Sequence, residues 1–125
     1  MNDLFAVTHP GAAIAKEIRT LDLVHLSRMT LGDRGLETEV LGLFLRQSRT
    51  LTERAAMAEG AELAALAHTL KGSARAVGAW RVAECAERLE ERVGGTSDSI
   101  APVLADLRRT VEEVHAAIAG ISPPA

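Results

Sequence analysis

The sequence predicts an all-α domain, an antiparallel up-down four-helix bundle with a short N-terminal helix. Three observations carry this. Ala and Leu dominate an apolar content of 47%, while aromatic bulk is limited to one Trp and two Phe, a composition that favours helix over sheet. Apolar residues recur at three- and four-residue steps over long stretches, the signature of one helix face. The breaks between those stretches are short and glycine-centred, and short connections between long helices make neighbours antiparallel. A chain of 125 residues is long enough for one such core and leaves little for a second domain.

Residues 1–20 read as a partly helical lead segment, with one short apolar patch at Ile14 and Ile18. A second, Leu23 with Leu26, is placed for capping by Asp22. Thr30 to Gly35 is a connection, since Gly32 and Gly35 flank an aspartate. The first long helix is expected over residues 36–58, where Val40, Phe44, Leu51 and Ala55 share a face widened by Leu41 and Leu43. Gly60 reads as its stop or as a tight turn. A second helix follows over 61–77, ended by Gly78, and a third over 79–92. Gly94 to Ser99 is the clearest loop, with Ser97 or Ser99 as the next cap and Pro102 in the first helical turn, where a missing N–H does little harm. Val103, Leu107, Val111, Val114 and Ile118 then form the stripe of the last helix. The bundle is thus assigned to 21–121, with 122–125 as a tail.

The totals exclude several functions. Fourteen basic and 17 acidic residues give a net charge of −3 and form no basic block, so nucleic acid is not expected as a partner. No apolar run approaches the roughly 20 residues that span a bilayer, and the N-terminus lacks the pattern of a signal peptide. The single cysteine, Cys85, falls on an expected buried face and agrees with a reducing cytoplasm. His9, His25 and His115 are too dispersed to converge on a metal. No phosphate-binding glycine loop is present for ATP, and no hydrolase triad has a strand–turn–helix context. Arg46 and Arg49 read as a solvated helix face.

One string remains unexplained by packing: His68-Thr-Leu-Lys71-Gly72-Ser-Ala-Arg75-Ala-Val-Gly78-Ala79. At 100° per residue, Leu66, Leu70, Ala74 and Val77 fall within roughly 60° of Leu63, whereas His68 falls roughly 140° away. The imidazole is therefore expected to face solvent. Ala61, Ala64, Ala65 and Gly72 around it are small, and Lys71 and Arg75 flank it one and two turns on. A glycine inside a helix costs about 1 kcal/mol relative to alanine, which is understandable if open space beside the histidine is needed. An exposed imidazole is largely neutral near pH 7, and a neutral ring nitrogen is a competent nucleophile. Neighbouring cations suit a ring that will carry phosphoryl oxygens.

This string resembles the signature of histidine-containing phosphotransfer (HPt) domains, His-x-x-Lys-Gly followed by two small residues and later Gly-Ala. The likeness extends more weakly over residues 21–117. It implies that His68 accepts a phosphoryl group from the phospho-aspartate of one receiver domain and passes it to another in a His–Asp phosphorelay. It further implies that Lys71 balances phosphate charge, that Gly72 gives the receiver access, and that Nε2 is the modified ring nitrogen. Ser73 and Ala74 match small positions of the pattern, Gly78 and Ala79 match its turn, and Trp80 is unassigned by it. Arg75 sits at a variable position, and its role as an added docking charge is inferred from its place on the flank. Such a protein is a carrier rather than an enzyme. It needs no cofactor of its own, because the Mg2+ belongs to the receiver. The expected partners are response-regulator receiver domains, with a hybrid histidine kinase as a further candidate, and the expected state is a cytoplasmic monomer. The competing readings are a helical adaptor with an incidental histidine and a phosphorylatable dimerisation domain of a histidine kinase.

Overall fold

The computed structural model describes residues 20–95 and 100–121. The proposed helical patch at Ile14 and Ile18, the capping serines 97 and 99 and the tail at 122–125 lie outside the described residues. Within them the chain is helical with no strand: α1 (Leu23–Met29), α2 (Arg34–Ala55), α3 (Gly60–Val77), α4 (Trp80–Val93) and α5 (Ile100–Ile121). α3 packs against both α2 and α4, α5 packs against α4 and α2, and α1 lies on α3.

Local chemistry sets the boundaries. The Asp22 carboxylate accepts from the His25 amide at 3.0 Å and starts α1. Asp33 does the same for α2, accepting from Leu36 N–H at 3.0 Å. Because Asp33 takes the cap, α2 begins at Arg34 rather than at residue 36, its first apolar position. Its far end closes early, at Ala55, where Met57 N–H turns back to the Arg54 carbonyl at 3.0 Å. Gly60 does not stop α2. It begins α3, with φ +60°.

The core is one cluster fed by every helix. Leu63, Leu66, Leu70, Ala74 and Val77, the stripe read from the periodicity, are all buried, as are Phe44, Leu51 and Cys85. Two buried hydroxyls are satisfied within their own helix: Thr52 Oγ1 donates to the Ser48 carbonyl at 2.8 Å and Thr110 Oγ1 to that of Leu107 at 2.9 Å. Each bond spares the interior an unpaired polar group.

The turn from α3 to α4 is fixed by Gly78, which sits at φ +82°. Its N–H bonds the Arg75 carbonyl at 3.3 Å, and the next N–H, of Ala79, bonds that of Ala74 at 2.9 Å, a Schellman-type end. α1 is clamped onto this turn. Asp22 N–H donates to the Gly78 carbonyl at 2.9 Å, Trp80 Nε1 donates to Asp22 Oδ2 at 2.9 Å, and the His25 and Trp80 rings meet edge to face at 4.8 Å. A Cβ on Gly78 would lie 2.9 Å from the Asp22 carbonyl oxygen. Gly78→Ala is therefore expected to lose about 2 kcal/mol, from the left-handed backbone and the displaced α1 together. Denaturant unfolding checks this, and a midpoint equal to wild type would contradict it.

Across the bundle, the ring of His115 on α5 bonds the buried Ser48 hydroxyl of α2 at 2.8 Å. Burial first, and then the Arg49 guanidinium, hold His115 below the ordinary histidine range, against a smaller opposing pull from Glu112. The unfolded chain thus takes up a proton at higher pH than the folded one. The resulting stability is full above about pH 6.5 and declines as pH falls toward the folded value. Urea midpoints at pH 7.5 and 5.5 should differ in the wild type, and the gap should narrow in His115→Gln. An undiminished gap would remove His115 from the effect.

Candidate functional site

α3 presents the motif along the edge it shares with α4. The His68 side chain is 67% exposed, as the helical projection requires. A Cβ built on Gly72 would meet nothing within 4 Å, so the space beside the ring, one turn along, is open. Ser73 sits at the other border of this face, and its hydroxyl donates to Gln47 Oε1 of α2 at 3.0 Å. Ala74 is fully buried. Trp80, unassigned by the motif, belongs to the clamp at the α3–α4 turn.

The cations are less free than the sequence suggested. Lys71 is only 15% exposed, and its Nζ lies 2.9 Å from Glu90 Oε1. The other oxygen of the same carboxylate, Oε2, lies 3.0 Å from His68 Nδ1. Arg75 is tied to Glu87 at 3.2 Å in an exposed pair. The motif cations on α3 are therefore matched by two acids three residues apart on α4. The Glu90 carboxyl is held below the usual carboxylate range by the Lys71 hydrogen bond first, reinforced by the bond to His68, against the effect of its partial burial.

That geometry assigns the ring. An ionised carboxylate only accepts, so Nδ1 carries the proton and donates to Glu90. Nε2 of the neutral ring then keeps its lone pair. A carboxylate facing one imidazole nitrogen is the usual way to fix the tautomer, and here it leaves the proton off Nε2.

Glu90 is the site residue that the motif did not contain. It lies 22 residues beyond His68, among Glu84, Glu87 and Glu91 on the same helix. A signal for it did exist. His68 stands ten residues before Gly78 and Glu90 eleven after Ala79, so folding the hairpin about that turn brings them to one level. Among the described residues, no group of three or more His, Cys, Asp or Glu is placed to hold a metal, and no helix is long and apolar enough to cross a membrane.

Comparison with known proteins adds an independent line. No curated protein sequence matches the chain significantly. A solved structure described as a histidine-containing phosphotransfer protein from rice superposes with a TM-score of 0.72 at 20% identity, covering 78% of this chain and 76% of that one. At that identity the likeness speaks for the fold alone. The family model described as the Hpt domain matches residues 39–117, a span that includes His68, Lys71, Gly72 and Glu90 and most of the chain. The chain therefore belongs to the Hpt domain family, and its role is phosphotransfer in a His–Asp phosphorelay.

Proposed function

We propose that His68 is the phosphoryl acceptor, and the observation that supports this is an exposed imidazole whose Nδ1, and not Nε2, meets the Glu90 carboxylate at 3.0 Å. In the forward step Nε2 attacks the phosphorus of a receiver's aspartyl phosphate. The N–P bond forms, the acyl O–P bond breaks, and the electron pair of that bond stays on the receiver's carboxylate. No proton has to leave the ring, because Nδ1 keeps its own. The reverse step, to a second receiver, returns the phosphoryl group to an aspartate. The protein acts as a carrier and not as an enzyme, and the divalent metal that the chemistry uses, Mg2+, resides in the receiver.

Lys71 neutralises the incoming oxygens through the N–H groups it does not give to Glu90, since its ammonium has three donors and uses one there. Gly72 provides clearance for the receiver. Arg75 contributes as half of an ion pair at the rim of the docking face and not as a bare cation. The pairwise packing of α2 to α5 and the short turns between α2, α3 and α4 support an antiparallel up-down four-helix bundle over residues 21–121. The protein is further proposed to be a cytoplasmic monomer whose partners are receiver domains and a hybrid histidine kinase.

The deciding experiment mixes the protein with radiolabelled phospho-receivers and follows the label. Transfer to an acid-labile, alkali-stable bond on residue 68 is the expected result. An acid-stable product, or none with any receiver of the source organism, would overturn the assignment.

A further inference from the structure

We propose that Glu90 is a positioning residue that keeps the phosphorylated ring of His68 protonated, and so sets how readily its phosphoryl group leaves. This rests on the acceptor reading above and asks what Glu90 does after the transfer.

When phosphorus joins Nε2, Nδ1 still holds its hydrogen, and the ring becomes an imidazolium carrying a phosphoryl group. Two fates are open to it. If the Nδ1 proton stays, breaking the N–P bond releases neutral imidazole, a good leaving group. If that proton is lost to solvent, the same break must release an imidazolate, a poor one. The phosphoryl group is transferable in the first form and stored in the second.

The surroundings of Nδ1 decide between them. Glu90 Oε2 is 3.0 Å from Nδ1 and is the one charged group in contact with it among the described residues. An opposite charge at this distance favours the protonated form. Lys71 binds the other carboxylate oxygen at 2.9 Å, which keeps Glu90 ionised and therefore able to act. Of the remaining charges nearby, Arg75 and Glu87 cancel in their own pair at 3.2 Å. From α2, the neutral Gln47 amide is engaged with Ser73, and Arg54 is directed to Glu62 near the start of α3. A neutral amide at position 90 removes the charge that retains the proton, and it holds the Nδ1–H tautomer only through a single oxygen shared between Nδ1 and Lys71. Glutamine therefore tests the charge, and alanine removes the hydrogen bond as well.

The test uses the full-length chain phosphorylated with potassium phosphoramidate, followed by 31P NMR over pH 5.5 to 9.5. The His68→Gln variant identifies which signal belongs to His68. In Glu90→Gln the pH at which this signal titrates should fall by about one unit, the low end for loss of a neighbouring opposite charge because the ring is exposed. Above neutral pH the phosphorylated form should then persist about tenfold longer and deliver its phosphoryl group to a receiver about tenfold more slowly. Glu90→Ala should show the same shift, with slower initial phosphorylation added because the tautomer is no longer held. A Glu90→Gln titration that coincides with wild type, or lies above it, overturns the role of Glu90 while leaving His68 as the acceptor. A wild-type protein that takes no phosphoryl group on His68, from phosphoramidate or from a receiver, overturns the acceptor reading itself and this inference with it.

Discussion

Replacing His68 with glutamine is expected to abolish phosphoryl acceptance completely while leaving the fold intact. The side chain is mostly exposed and contributes nothing to the core cluster, so unfolding midpoints should stay within about 0.5 kcal/mol of wild type. Glutamine can still donate to Glu90, but its amide nitrogen has no lone pair to offer phosphorus. Label transfer from a phospho-receiver should fall to background. Residual transfer at even a few per cent would point to a second acceptor, and His25 and His115 would be the next to examine. Both are poorly placed. His25 has its Nε2 buried, and His115 is bonded to Ser48.

Gly72→Leu should separate stability from activity. Leucine is a better helix former than glycine by nearly 1 kcal/mol, and the site of the new Cβ is empty space. The variant should therefore unfold at a slightly higher denaturant concentration than wild type. Transfer should drop by about a hundredfold, because a branched side chain one turn from His68 holds the receiver's aspartyl phosphate away from Nε2, and misplacement by about 1 Å is enough for a loss of that size. Stopped-flow transfer beside equilibrium unfolding measures both effects. A stabilised variant that transfers at the normal rate would show that docking does not pass over residue 72.

The helices and the exposed histidine could be read from the sequence because both follow from rules local to one helix. The stripe from Leu63 to Val77 obeys the 3.6-residue period, and His68 lies off it. Gly78 marked its own turn, since a left-handed residue favours glycine. Helix starts were less exact where a capping aspartate precedes the first apolar residue, as Asp33 does for α2. The partner of His68 could not be read this way. α4 offers four glutamates, and spacing within α4 does not say which of them faces α3. Counting outward from the turn gives the level of Glu90 and its neighbour Glu91, but which of them faces α3 is selected by the relative rotation of the two packed helices, and that rotation depends on the whole core. The same limit hid the Ser48–His115 bond, whose partners are 67 residues apart. Lys71 was expected to be free for phosphate, and the structure instead gives it a resident carboxylate, for the same tertiary reason.

The clamp of α1 on the Gly78 turn has a mechanical consequence for a site it never touches. α3 and α4 act as two arms joined at that turn, and His68 and Glu90 sit about 15 Å out along them. A change of about 5° in the angle between the arms moves one relative to the other by about 1.3 Å at that radius, enough to break the hydrogen bond between them. Asp22, His25 and Trp80 stiffen the pivot. The register between His68 and Glu90 is thus held from a distance, by a seven-residue helix acting as a brace at the joint.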